Sequence, residues 1–93
     1  LRYEEFTPPA ALAEHAHCVW IFESAPNPSR ASERIVPDGR CELVVHLGDP
    51  FVESAADGIE RAQPRVLFAG QLSRPLWLRP TGRAHVVGVR FHP

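Results

Sequence analysis

Lysine is absent from this sequence, so every one of its ten Lys/Arg positions is an arginine. No apolar run approaches the roughly 18 residues that a membrane-spanning helix needs, which argues against a helical membrane anchor. The opening residues Leu1-Arg2-Tyr3-Glu4-Glu5 contain no apolar stretch of the kind a secretory signal requires. With only two cysteines, Cys18 and Cys41, the chain is no disulfide scaffold of the secreted type. The expectation is a cytoplasmic protein with no membrane partner. Catalytic signatures are also missing. There is no Gly-x-Ser-x-Gly elbow and no glycine-rich phosphate loop. His17 adjoins Cys18, but neighbours on a strand point to opposite faces and make no dyad. The chain is therefore read as a binding module and not as an enzyme, with no cofactor and no metal.

What charge there is falls unevenly. All eleven acidic residues lie between Glu4 and Glu60, whereas Arg61, Arg65, Arg74, Arg79, Arg83 and Arg90 occupy the other end. The formal net charge is only −1. The arginines are spaced out and no aromatic platform accompanies them, so pairing of the two regions within one fold is preferred over a nucleic-acid surface.

Ninety-three residues make a single domain, and 44% apolar with 23% charged residues is the composition of a globular one. The sequence lacks an initiator Met and stops at Phe91-His92-Pro93 directly after an apolar run. Residues 1–93 are expected to be one β domain taken from a longer protein. Ten prolines, scattered along the chain, punctuate many short segments, as in an all-β sandwich or barrel. Thr7-Pro8-Pro9 followed by residues 10–15 predicts one short N-terminal helix, with Thr7 as its cap. Residues 17–23 read as a strand that is apolar on both faces. Residues 41–47 read as a second, with Cys41, Leu43, Val45 and Leu47 on one face and Glu42, Val44 and His46 on the other. Residues 53–64 are polar, with Asp57-Gly58 as a hairpin turn. Three strands follow over residues 65–70, 76–79 and 84–92. Pro75 and Pro80 bracket the second of these, which is expected to be short or at an edge. Five or six strands with hairpin-length links predict an antiparallel β-barrel or sandwich.

Histidines invite a metal reading. His15 and His17 have the spacing with which a strand aims two imidazoles at one ion, but the next acid, Glu23, is six positions on, and His15 falls at the predicted helix end. They are read as plain surface histidines. Glu42 and His46 share a strand face but stand about 13 Å apart, too far to hold one ion directly. They can line one cavity, and Arg90 or Arg79 can partner them. Such a polar face is either a set of structural pairs or a ligand pocket. The competing reading is a small cupin-like metal-dependent enzyme with histidines, such as His46 or His85, drawn from separate strands.

Four stretches taken together carry a resemblance. They are the strand around Trp20; Ile35-Val36-Pro37-Asp38-Gly39-Arg40-Cys41-Glu42-Leu43; Ala69-Gly70-Gln71-Leu72-Ser73-Arg74-Pro75; and Val87-Gly88-Val89-Arg90-Phe91-His92-Pro93. In this order and spacing the chain resembles the N-terminal domain of a group of AraC-type bacterial transcription regulators. The resemblance implies a cupin-like β-barrel that senses a small-molecule effector and forms a homodimer. DNA would be bound only by a C-terminal half with two helix-turn-helix motifs, absent from this chain. An open sheet edge would then be a site for pairing with another copy. The pocket expected on this basis has Glu42, His46, Gln71 and Arg90 as polar lining and Trp20, Phe68 and Trp77 as apolar wall, with Asp38 shaping its mouth from a turn.

Overall fold

The computed structural model describes residues 2–24, 33–35, 40–70 and 76–92. Nine strands fall within them: β1 (Arg2–Phe6), β2 (Ala16–Glu23), β3 (Glu33–Ile35), β4 (Glu42–His46), β5 (Phe51–Ser54), β6 (Glu60–Ala62), β7 (Val66–Ala69), β8 (Leu76–Pro80) and β9 (His85–Phe91). They form two antiparallel sheets, one of five strands in the order β1-β2-β9-β4-β7 and one of four in the order β3-β8-β5-β6. No strand is shared between the two sheets, so among the described residues the architecture is a sandwich and not a closed barrel. The domain measures 38 × 31 × 18 Å, and its thin dimension is that of two layers.

The expected N-terminal helix does not form. Residues 10–15 are a succession of turns, held by bonds from the Leu12 amide to the Pro9 carbonyl (2.8 Å) and from the His15 amide to the Leu12 carbonyl (3.0 Å). Pro8 and Pro9 contribute no N–H, and a segment this short gains too few helical bonds to offset the unfavourable first turn. Strand β8 is short, as Pro75 and Pro80 suggested, but it is not an edge. It pairs with β3 on one side and β5 on the other, with Pro80 at its last position opposite Phe51. The Asp57-Gly58 hairpin is present. Gly58 has φ 78°, which a side chain would disfavour, and the Asp57 carboxylate accepts a bond from the Ile59 amide at 2.9 Å.

Alternation along the strands assigns the faces of the larger sheet. Across β1, β2, β9 and β4 the register aligns Tyr3, Phe22, Val86 and His46. The next inward row aligns Glu5, Trp20, Gly88 and Val44, and the third aligns Cys18, Arg90 and Glu42. These rows face the smaller sheet, because the Phe51 ring on β5 packs against Phe22 (6.2 Å, edge-on) and His46 (5.4 Å). Accordingly Cys18, Val44, His46 and Val86 are buried. The opposite face carries Val19, Ile21, Leu43, Val45, Val87, Val89 and Phe91, which explains why β2, β4 and β9 read as apolar on both sides.

Candidate functional site

Two polar centres lie on the inner face of the five-stranded sheet, one on either side of the Trp20 row. At the first, Arg90 stands opposite Glu42 on one neighbouring strand and Cys18 on the other. Its Nε donates to Glu42 Oε1 at 2.8 Å. The head of the side chain passes over Cys18 to reach β1, two strands away. There Nη1 donates to Glu5 Oε2 at 3.3 Å and Nη2 to the Tyr3 hydroxyl at 3.4 Å, while Nη1 lies 3.8 Å from Cys18 Sγ. The Tyr3 hydroxyl donates in turn to Glu5 Oε2 at 2.7 Å. One guanidinium on β9 thus gathers groups from three other strands.

The electrostatics follow from this network. Burial works against the Arg90 charge, but the bonds with Glu42 and Tyr3 outweigh it, and the pKa of Arg90 is raised. The Tyr3 hydroxyl bond, aided by Arg90, holds the Glu5 carboxyl below its ordinary range. Burial pushes the Tyr3 phenol up, and the adjacent Glu5 carboxylate adds to it against Arg90. Burial likewise pushes the Cys18 thiol up, which outweighs the pull of Arg90 and keeps the thiol protonated.

Between the two centres lies Trp20. Its indole covers Gly88 so closely that a Cβ on Gly88 would collide with the ring. The Tyr3 ring stacks beside it at 6.3 Å and 28°. The indole N–H is buried and has no hydrogen-bond acceptor. At the second centre His46, only 2% exposed, meets Gln63 through Nε2···Oε1 at 2.9 Å. With the Gln63 amide oriented so, Nε2 carries the proton and Nδ1 presents a lone pair. That Nδ1 is buried and also without a partner. Among the described residues the inner face therefore holds one unmet donor and one unmet acceptor, each a cost that a bound polar molecule would relieve.

An open depression of about 230 Å³, lined by Glu5, Phe6, Thr7, His17 and Cys18, lies alongside the Arg90 centre. It is smaller than the roughly 300–1,000 Å³ of drug-sized pockets, and its lining shares Glu5 and Cys18 with that centre but does not include Trp20 or His46.

Of the residues expected to form a pocket, the fold brings Glu42, His46, Arg90 and Trp20 onto one face. Phe68 is not with them. It sits on β7 on the opposite face, 62% exposed, with its ring 5.9 Å from Phe91. Trp77 belongs to β8 in the other sheet, in register with Ser54 and so on the face opposite Phe51. Both corrections have one cause: hydrophobicity alone does not tell which face of a two-sided apolar strand looks inward. Asp38 and Gln71 lie outside the described residues. Arg79 pairs instead with Glu60, at 2.8 Å. His17 is not aligned with His15 but packs edge-on against His92 at 5.9 Å, and no group of three His, Cys, Asp or Glu side chains among the described residues is placed to share a metal ion. Tyr3, Glu5, Cys18 and Gln63 complete the site without having been foreseen. Nothing in the sequence marks Tyr3, Glu5 or Gln63: Arg2-Tyr3-Glu4-Glu5-Phe6 has no polar–apolar alternation, and its strand is exposed throughout.

Comparison with curated proteins returned no match, and comparison with solved structures returned none. A family model does match, over residues 4–93, which take in Arg90, Glu42, Glu5, Trp20 and His46 but not Tyr3: the chain belongs to the family described as a domain of unknown function, DUF6597.

Proposed function

We propose that this domain is the effector-sensing part of an AraC-type transcription regulator, with a cupin-like sandwich that binds a small polar molecule on the inner face of its five-stranded sheet. The observation that carries the reading is the pair of unmet polar atoms there, the Trp20 indole N–H and His46 Nδ1, beside the Arg90–Glu42–Glu5 network. A ligand acceptor would take the indole hydrogen. A ligand hydroxyl or amide would donate to His46. The Arg90 network would recognise a polar end, because its bonds to Glu5 and Tyr3 are long enough to be exchanged for shorter ones.

Sensing would follow from the topology. Arg90 ties the edge strand β1 to β9 and β4, so a ligand that competes for Glu5 or Arg90 changes how firmly β1 is held. A DNA-binding segment elsewhere in the regulator would read that change. The domain itself is proposed to bind no DNA and to catalyse no reaction.

The test is a thermal-shift survey of small hydroxylated and carboxylated molecules against the wild-type protein and a Trp20→Phe variant, which keeps the ring but removes the N–H. A true effector raises the melting temperature of the wild type with a concentration dependence set by its affinity. It does so far less in the variant. If every compound that stabilises the wild type stabilises Trp20→Phe equally, the inner face is not the site.

A further inference from the structure

The two sheets are joined strand by strand. Without its edge strand β1 the larger sheet runs β2-β9-β4-β7, and the smaller runs β3-β8-β5-β6. Chain neighbours thus hold corresponding places in the two orders, β4 and β5 among them. In an aligned sandwich each strand of the smaller sheet then lies over its own chain neighbour. The Phe51 ring, 5.4 Å from that of His46, places the start of β5 over the end of β4. From there β5 runs back along β4, from the His46 row towards the Trp20 row. Side chains two positions apart share a face, so Glu53 follows Phe51 into the sandwich, about 6.6 Å further on.

That carboxylate has nothing to bind. Glu53 is half-buried, and among the described residues it takes part in no ion pair or side-chain hydrogen bond. Its register partner on β8 is Leu78. On the edge strand β6 its partner is Arg61, which is exposed and does not pair with it. The one guanidinium on the inner face of the larger sheet is already committed, since Arg90 holds Glu42 at 2.8 Å and Glu5 at 3.3 Å. A half-buried carboxylate without a donor is costly, and a cationic donor is what would satisfy it. An anionic ligand in the same space would meet Glu53 as well as Glu5 and Glu42.

We infer that Glu53 is a ligand-binding residue contributed by the smaller sheet, and that the molecule received on the inner face is a hydroxylated amine whose ammonium group binds the Glu53 carboxylate. The inference rests on the reading of the inner face as an effector site and adds the class of the effector. The ammonium donates to Glu53 in a charge-assisted bond, which discriminates between ligands of similar size. The hydroxyl groups complete the contacts, one donating to His46 Nδ1 and one accepting the Trp20 indole hydrogen, the two atoms left unmet in the structure. Among the described residues every ion pair lies within a single sheet, so the bound amine adds an ionic link between the two.

Serinol, glycerol and glycerate test this, being small molecules of similar size that share hydroxyl groups. Serinol adds an ammonium and glycerate a carboxylate. Each is titrated into the wild-type protein, Glu53→Gln and Glu53→Asp, with the Trp20 indole N–H resonance as readout and circular dichroism as the check of fold. In the wild type serinol is expected to bind at least about tenfold more tightly than glycerol, and glycerate more weakly than either. Glu53→Gln keeps the shape and loses the charge, so it should abolish the preference for serinol, whereas Glu53→Asp should retain part of it. Equal affinity for serinol and glycerol, or a preference that Glu53→Gln leaves intact, would overturn the inference. The inner-face site would then still stand, because the Trp20 signal would still respond. A Trp20 signal that none of the three molecules moves would overturn both.

Discussion

The indole of Trp20 occupies the space above Gly88 on the neighbouring strand, and only the missing Cβ at position 88 allows it. Replacing Gly88 with alanine is therefore expected to lift the ring off β9, in spite of the better strand propensity of alanine. Overpacking of this kind costs about 1–3 kcal/mol. Urea unfolding should show the loss of stability, and the tryptophan fluorescence of the folded variant should shift to the red as the indole becomes wetter. A variant as stable as the wild type, with unchanged emission, would mean that the ring can move aside freely.

Arg90 and Glu42 are directly opposed on β9 and β4 and are joined at 2.8 Å, with both side chains largely shielded from solvent. Breaking the pair by Arg90→Met or Glu42→Gln is expected to destabilise the domain by about 1–2 kcal/mol, since each leaves a charge-assisted partner unmet. The double variant should lose less than the sum, with a coupling of about 0.5–2 kcal/mol in a double-mutant cycle. Strict additivity would show that the pair contributes nothing beyond its separate parts.

Tyr3 is the only tyrosine of the chain, so the phenolate absorbance in the near ultraviolet reports on it alone. Burial and Glu5 raise its pKa, so the midpoint is expected above the ordinary value of about 10. Because the folded-state pKa is raised, the stability it contributes is complete below about pH 10 and is lost as the pH rises through the folded-state value. Glu5→Gln should move the midpoint down and Arg90→Met should move it up. The carboxyl of Glu5 has the opposite sign. Its pKa is lowered, so its contribution is present above about pH 4.3 and disappears on acidification.

Cys18 is buried under the Arg90 side chain and its thiol is shifted up by that burial. Alkylation at neutral pH, followed by peptide mass spectrometry, should leave Cys18 unmodified in the folded protein and modify it promptly in denaturant. The half-buried Cys41 provides the accessible comparison. Rapid modification of Cys18 under native conditions would show that the inner face opens near β1.

Much of this was legible from residue order. The alternation in residues 41–47 puts Glu42 and His46 on one face, and the same rule on β9 puts Arg90 with Gly88 and Val86. The Asp57-Gly58 turn was legible because its chemistry is local. Strand β1 was not, because its residues are exposed and charged, and it is held by tertiary partners: Arg2 to Glu23, and Tyr3 to Trp20. The N-terminal turns were mistaken for a helix because alanine-rich composition says nothing of whether enough residues remain to propagate one. Phe68 and Trp77 were misplaced for a different reason. Apolar residues at both faces of a strand do not say which face meets the second sheet.

The central claim is that the inner face around Trp20 receives a small polar ligand, and the two tryptophans of the chain make it directly measurable. Nuclear magnetic resonance of protein labelled with ¹⁵N resolves one indole N–H signal for Trp20 and one for Trp77. The expected result is that a stabilising compound moves the Trp20 signal strongly downfield as its hydrogen finds an acceptor, while that of Trp77 stays in place and Arg90→Met weakens the response. A compound that binds tightly and leaves the Trp20 indole signal untouched would contradict the site.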